Sequence, residues 1–222
     1  MKKTPPPKRR QTGITRIAEV RRKDLIDAAI TSIADIGYGE VTVQTICETA
    51  GVSRGLIGHY FAGKDELLLE AVRQVATELG NSTREAARNA GPDPVAKLHA
   101  VIAASFSSPV FSVENVAVWT ALAGNARWTP HLATVYRDLW GNYRTRLAQL
   151  IKRASVNSSR PLDAQRIALT FTQLMEGMWV GWLADPHAVT REAAEAACHD
   201  YLDAVLGGRP EASHGIERKP RQ

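Results

Sequence analysis

Arg54 is the residue in this chain best equipped to read another molecule. It stands in the run Ser53, Arg54, Gly55, Leu56, Ile57, Gly58, His59, Tyr60. Helical spacing there puts Ser53, Arg54, Gly55, Gly58 and His59 on one slim polar face, the shape needed to enter a DNA major groove. A planar guanidinium can bond bidentately to guanine, which is worth about 1–3 kcal/mol of discrimination, or it can pair with a phosphate. Gly55 and Gly58 let a helix backbone approach closely, although each costs about 1 kcal/mol in an ordinary helix relative to alanine. Leu56 either touches a thymine methyl or braces the helix from behind. His59 has no carboxylate or nucleophile set beside it by local spacing, so no catalytic role is expected of it.

That face needs a partner helix and a sharp turn. Gly51 follows the short helical run Val41–Ala50 and can adopt the left-handed conformation that closes a helix. Thr42 is placed to cap the first helix and Ser53 the second. Ile46, Ala50, Val52, Ile57 and Tyr60 then face one another across a helix-turn-helix, with Cys47 a small side chain at the crossing. A helical hairpin inside a larger bundle would use the same periodicity, so the flanking segments must decide between the two.

They carry an uneven charge. Residues 1–64 hold 11 Lys or Arg against 6 Asp or Glu, residues 65–208 hold 13 against 15, and residues 209–222 hold 4 against 2. The basic excess thus sits with the helix-turn-helix, as a polyanion partner would require. Residues 1–16, with three consecutive prolines and five cations between Lys2 and Arg10, predict a disordered basic arm that either reaches DNA or only aids solubility. A support helix is predicted from Ile17 to Ile36, ending at Gly37. Its Arg21, Arg22 and Lys23 suit phosphates or a solvated face. Lys64 opens a long helix, where it could clamp a phosphate together with free backbone N–H groups.

The remaining chain reads as helices throughout. Asp93–Pro94 and Thr129–Pro130 are N-cap and first-turn signals, Asp163 opens the most apolar helix, and Thr190 opens the last. Strand signals are missing, so the fold class is all-α. The predicted organisation is a disordered arm at 1–16, a DNA-binding domain at 17–64, a ligand-sensing and dimerisation domain at 65–208, and a disordered tail at 209–222. No apolar run is long enough to span a membrane, and neither Cys47 nor Cys198 has a CxxC partner, which predicts a cytoplasmic protein with two buried thiols. No HExxH cluster or Gly-rich phosphate loop is present, and neither metal nor cofactor is expected.

All five tryptophans lie in the C-terminal part. Phe106, Trp119, Trp128, Tyr136, Trp140, Tyr143, Met175 and Trp179, with Glu176, form a candidate ligand site, in which aromatic faces and one carboxylate would suit a quaternary ammonium. Plain core and dimer interface is the competing assignment for the rings, and a hydrogen-bonded structural role for Glu176. The last two long helices, from Asp163 to Ala184 and from Thr190 to Leu206, predict a four-helix interface between two copies, because a helix apolar nearly all round is buried on several sides.

The combination of Thr42, Ile46, Ala50, Gly51, Val52, Ser53, Tyr60, Phe61, Lys64, Leu67 and Leu68 resembles the N-terminal signature of the TetR family of bacterial transcriptional repressors. Cys47 stands where that family commonly has alanine. More narrowly, GLIGHYFAGKDELLLEAV and MEGMW look like the BetI group, repressors associated with choline and glycine betaine metabolism. The resemblance implies a homodimer whose recognition helices reach two halves of a near-palindromic operator, about 34–36 Å apart, and which an effector releases. It also implies that Thr42, Ser53, His59, Tyr60 and Lys64 bind phosphate. Two other functions compete: an α-helical enzyme using Glu176 and His131 in an aromatic cavity, and a helical interaction scaffold, which would leave the basic excess unused.

Overall fold

The computed structural model describes the backbone of residues 9–156 and 161–207, and side chains from Arg16 onward. Among these residues it contains nine helices and no strand: α1 (Arg9–Ile36), α2 (Val43–Ala50), α3 (Arg54–Tyr60), α4 (Lys64–Asn89), α5 (Pro94–Ser105), α6 (Val113–Asn125), α7 (Pro130–Ala154), α8 (Ala164–Ala184) and α9 (Arg191–Leu206). The all-α expectation is met. No helix among the described residues is long and apolar enough to cross a membrane.

The start of α1 corrects the predicted arm. The helix begins at Arg9 instead of Ile17, because no proline follows Pro7 until well beyond it and a cationic stretch is no barrier to helix. Residues 1–8, the loop predicted at 157–160 and the tail beyond Gly207 lie outside the described residues.

Local signals set most helix ends. Thr42 accepts a hydrogen bond from the Thr45 N–H while Thr45 reaches back to the Thr42 N–H, a reciprocal cap. Gly51 closes α2 at φ 65°, ψ 36°, and its N–H bonds to the Cys47 and Glu48 carbonyls, a conformation that costs other residues roughly 1–2 kcal/mol. Asp93, Ser112, Asp163 and Thr190 cap α5, α6, α8 and α9 through their side chains. Ser53 departs from expectation: it stands at the N-cap of α3 with extended backbone, yet its hydroxyl makes no capping bond.

Packing joins the head to the body. α1 packs against α2, α4 and α6, while α4 packs against α5, α6 and α7, so α4 runs from the helix-turn-helix into the C-terminal bundle. In the head, Ile46, Cys47 and Ile57 are buried in the same core as Leu25, Ile30 and Val41. Ala50, Val52 and Tyr60 are half-buried around them, which is the predicted crossing. In the body, Trp140, Phe171, Phe106 and Leu132 are among the largest fully buried side chains.

Candidate nucleic-acid interface and effector site

The exposed surface of α3 carries Ser53, Arg54, Gly55, Gly58 and His59, while Leu56 and Tyr60 are half-buried at its edge and Ile57 faces inward. This follows from seven residues of helix with one apolar anchor: burying Ile57 fixes the rotation, and the residues around it are left outside. A Cβ added to Gly55 or Gly58 would meet nothing within 4 Å. The fold therefore gives no packing reason for either glycine. Gly58→Ala is expected to stabilise the isolated protein by about 0.5–1 kcal/mol, through helix propensity, while weakening operator binding. Urea denaturation read beside a mobility shift checks the opposite signs, and equal operator affinity would deny the close approach.

Arg54 is held in place. Its guanidinium donates to Gln44 Oε1 on α2, and the Gln44 amide donates to Glu48 at 2.8 Å. The bond crosses the helix-turn-helix and positions the cation at the first turn of α3 beside the unused Ser53 hydroxyl. His59 and Tyr60 meet edge to face with ring centroids 5.0 Å apart. Thr42 is exposed, and Lys64 Nζ donates to the Val41 carbonyl at 2.9 Å. One of the ammonium's three N–H bonds is thus internal and two remain for an anion. Thr42, Val41 and Lys64 are brought together at the entry to α2.

The cations of α1 have another role. Arg21 pairs with Asp24 at 3.4 Å, Lys23 with Asp27 at 2.5 Å, and Arg22 with Glu70 of α4 at 2.7 Å. Arg22 also lies 4.9 Å over the Phe61 ring, so one side chain ties α1 to the end of α3 and to α4. The bond from Arg22 holds the Glu70 carboxyl below its usual value of 4.5 against the opposing effect of burial, helped by Arg73. A depressed carboxyl contributes stability that is fully present above its unfolded value and lost as pH falls through the folded one. Glu70→Gln should therefore flatten the loss of thermal stability below pH 4.5. Scans of Tm against pH read it, and unchanged curves would remove Glu70 from the brace.

In the body, α6, α7 and α8 bring five of the predicted effector-site residues together. Glu176 accepts from the Tyr136 hydroxyl at 3.0 and 3.1 Å, from Trp140 Nε1 at 3.3 Å and from Gln173 at 3.0 Å. Trp119 stands next to Tyr136, Trp140 and Trp179, at centroid separations of 6.2, 5.2 and 6.2 Å. Burial first, and then the adjacent Glu176 charge, push the Tyr136 hydroxyl up to about 12, so it remains a donor at neutral pH. The result is a carboxylate set against aromatic rings.

The other predicted residues divide. Tyr143 and Met175 border this cluster, with the Tyr143 hydroxyl 4.0 Å from the Met175 sulfur and its ring 5.6 Å from Trp140. Phe106 lies beyond Trp179, at 6.5 Å, and packs on Phe111. Trp128 is a correction: it is 77% exposed, with Arg127 stacked on its ring, because it falls between α6 and α7, where no facing element covers it. Gln173 and Gln44 were not anticipated. Gln173 was available as the i, i+3 neighbour of Glu176, whereas Gln44 meets Arg54 only through the turn.

A family model described as bacterial regulatory proteins, tetR family, matches residues 25–71, and one described as BetI-type transcriptional repressor, C-terminal, matches residues 94–207. The chain belongs to the TetR family. Among TetR-family relatives, the HTH-type transcriptional regulator BetI of Brucella canis is 34% identical over 88% of this chain and 96% of its own length. The regulator of the same name from Paraburkholderia xenovorans is 30% identical over 86% and 96%. A transcriptional regulator from Pseudomonas aeruginosa PAO1 superposes with a TM-score of 0.75 at 28% identity, covering 86% of this chain and 92% of that one. A regulator from Saccharomonospora viridis, solved in complex with choline, has the same fold at a TM-score of 0.74 and 20% identity, covering 83% and 96%. As a BetI-type member of the TetR family this chain is a helix-turn-helix transcriptional repressor, and its relatives are regulators, which removes the enzyme and scaffold alternatives. His131, the proposed partner of Glu176 in the enzyme reading, is exposed at the start of α7.

Proposed function

We propose that this repressor acts in the cytoplasm as a homodimer on a near-palindromic operator and leaves it when a compact quaternary ammonium binds. The observation that carries the reading is the Glu176 carboxylate bounded by Tyr136, Trp140 and, one ring further, Trp119. Aromatic faces attract a cation through their quadrupoles, and a nearby carboxylate adds charge attraction that exposed surfaces lose to water. Choline bound to the Saccharomonospora viridis regulator supports the same class of ligand. In this reading Arg54 reads bases, Gly55, Gly58 and Leu56 shape the approach, and Thr42, Ser53, His59, Tyr60 and Lys64 hold phosphates.

Dimerisation is supported by what α8 and α9 leave outside. Leu169 and Val180 on α8 are 48% and 41% exposed and lie eleven residues, or three turns, apart on one face. Gln173 and Gly177 lie between them, and Gly177 has nothing within 4 Å of an added Cβ. Ala193 and Ala196 on α9 are exposed as well. Such low, partly apolar faces let two helix pairs approach closely. An effector at Glu176 on α8 would then act between the dimer interface and α4, the helix that carries the DNA head.

Footprinting against DNA upstream of the protein's own gene tests this, with effectors titrated while tryptophan fluorescence and operator release are followed. A protected near-palindrome, released by choline or betaine aldehyde, is expected. An anionic or neutral inducer that binds much more tightly would overturn the cation assignment.

A further inference from the structure

Gln44 and Arg54 stand side by side at the starts of the two helices of the head. Gln44 is the second residue of α2 and Arg54 the first of α3, and both are exposed. With Glu48, Gly51 and Ser53 they line an open hollow between the helices. The bond from Arg54 to Gln44 therefore puts the Gln44 amide on the surface that α3 offers to DNA. Thr42 and Lys64 lie at the entry to the same helix.

Two bonds fix which way round that amide lies. A guanidinium can only donate and a carboxylate can only accept, so the amide oxygen faces Arg54 and the nitrogen faces Glu48, to which it donates at 2.8 Å. Glu48 adds a charge that phosphates repel, and its effect here is to orient the amide. Each bond uses half of what one end of the amide offers: the oxygen keeps one lone pair and the nitrogen keeps one N–H. One acceptor beside one donor is what the major-groove edge of adenine requires, with its N6 donor and N7 acceptor. Guanine presents two acceptors there, cytosine a donor, and thymine an acceptor with a methyl group, so none of these satisfies both halves.

We infer that Gln44 is a second base-reading residue, bonding bidentately to an adenine in the base pair next to the guanine that Arg54 reads. The inference rests on Arg54 reading a base and adds a neighbouring base pair to the site. Adjacency follows from the contact: side chains joined by a hydrogen bond reach bases one step apart, about 3.4 Å along a strand. In a helix-turn-helix the second helix ordinarily reads bases while the first crosses the backbone. Here the bond to Arg54 draws a side chain of the first helix alongside the reader. A pair already joined also has less freedom to lose on binding than two separate side chains.

Mobility shifts with the full-length protein and the operator defined by footprinting test this. Every base pair of one half-site is substituted in turn, and 7-deazaadenine, which lacks the N7 acceptor, replaces each adenine in turn. One 7-deazaadenine position is expected to weaken binding by the parent roughly tenfold, the scale of one lost hydrogen bond. Gln44→Ala should lose roughly 10- to 100-fold on the unmodified operator, relax discrimination at that base pair, and show no further loss from the 7-deazaadenine. Arg54→Ala should relax the adjacent base pair instead. If Gln44→Ala relaxes only the base pair that Arg54→Ala relaxes, Gln44 merely holds Arg54 and the inference is overturned. Equal weakening on all sequences overturns it too, as a phosphate contact. Arg54→Ala that relaxes no base pair removes the Arg54 reading on which the inference rests. A parent protein indifferent to every 7-deazaadenine position removes the adenine contact alone, whether or not a Gln44 variant folds.

Discussion

Arg54→Ala is expected to lower affinity for the operator by roughly 10- to 100-fold, the loss of one bidentate base contact, while binding to unrelated DNA of equal length changes little. The physical basis is the position of the guanidinium: exposed at the first turn of α3, and held there by Gln44 across the turn. A side chain already oriented loses less freedom on meeting a base. A phosphate contact would leave a different signature, since losing one flattens the log–log salt dependence by about 0.9 and weakens all sequences alike. Mobility shifts over a salt series, with operator and scrambled DNA side by side, distinguish the two. If the variant binds the operator as tightly and as selectively as its parent, α3 is not read through Arg54.

Glu176→Gln should leave operator binding intact yet weaken release by a cationic effector roughly 10- to 100-fold, because it removes the one full charge facing the ammonium while keeping the side chain's size. The amide still offers one oxygen, so part of the set from Tyr136, Trp140 and Gln173 can persist and the fold should survive. Effector titrations on the operator complex give the release, and thermal melts give the stability. A fall in Tm with cation response unchanged would assign Glu176 to structure alone. The same experiment with an uncharged isostere should show no difference between variant and parent.

These expectations draw unequally on sequence and on structure. The head was legible in the chain because its signals are local. Gly51 closes α2 in the left-handed conformation its sequence position suggested, and Thr42 caps the helix that follows it. Ile46 and Ile57 are the anchors that periodicity marked. Even there, Ser53 does not use its hydroxyl to cap, and Arg22, a phosphate candidate by charge, is committed to Glu70 and Phe61. Charge in a sequence does not say which partner is nearer.

The candidate effector site shows the other limit. Trp119 and Trp128 are the same residue type nine positions apart, yet one is enclosed at 4% exposure and the other stands in solvent at 77%. Glu176 is an acid in an apolar helix, and its need for a partner could be read from that alone. Its partners Tyr136 and Trp140 are 40 and 36 residues distant and are reached only when α7 lies along α8. The sequence by itself determined the helical periodicity, most of the predicted caps (Ser53 and Thr129 make no capping bond) and the helix-turn-helix, because backbone conformation and amphipathic spacing act over a few residues. Which rings enclose the carboxylate and which cations remain available to DNA were decided by tertiary packing, since each depends on how one helix is rotated against another.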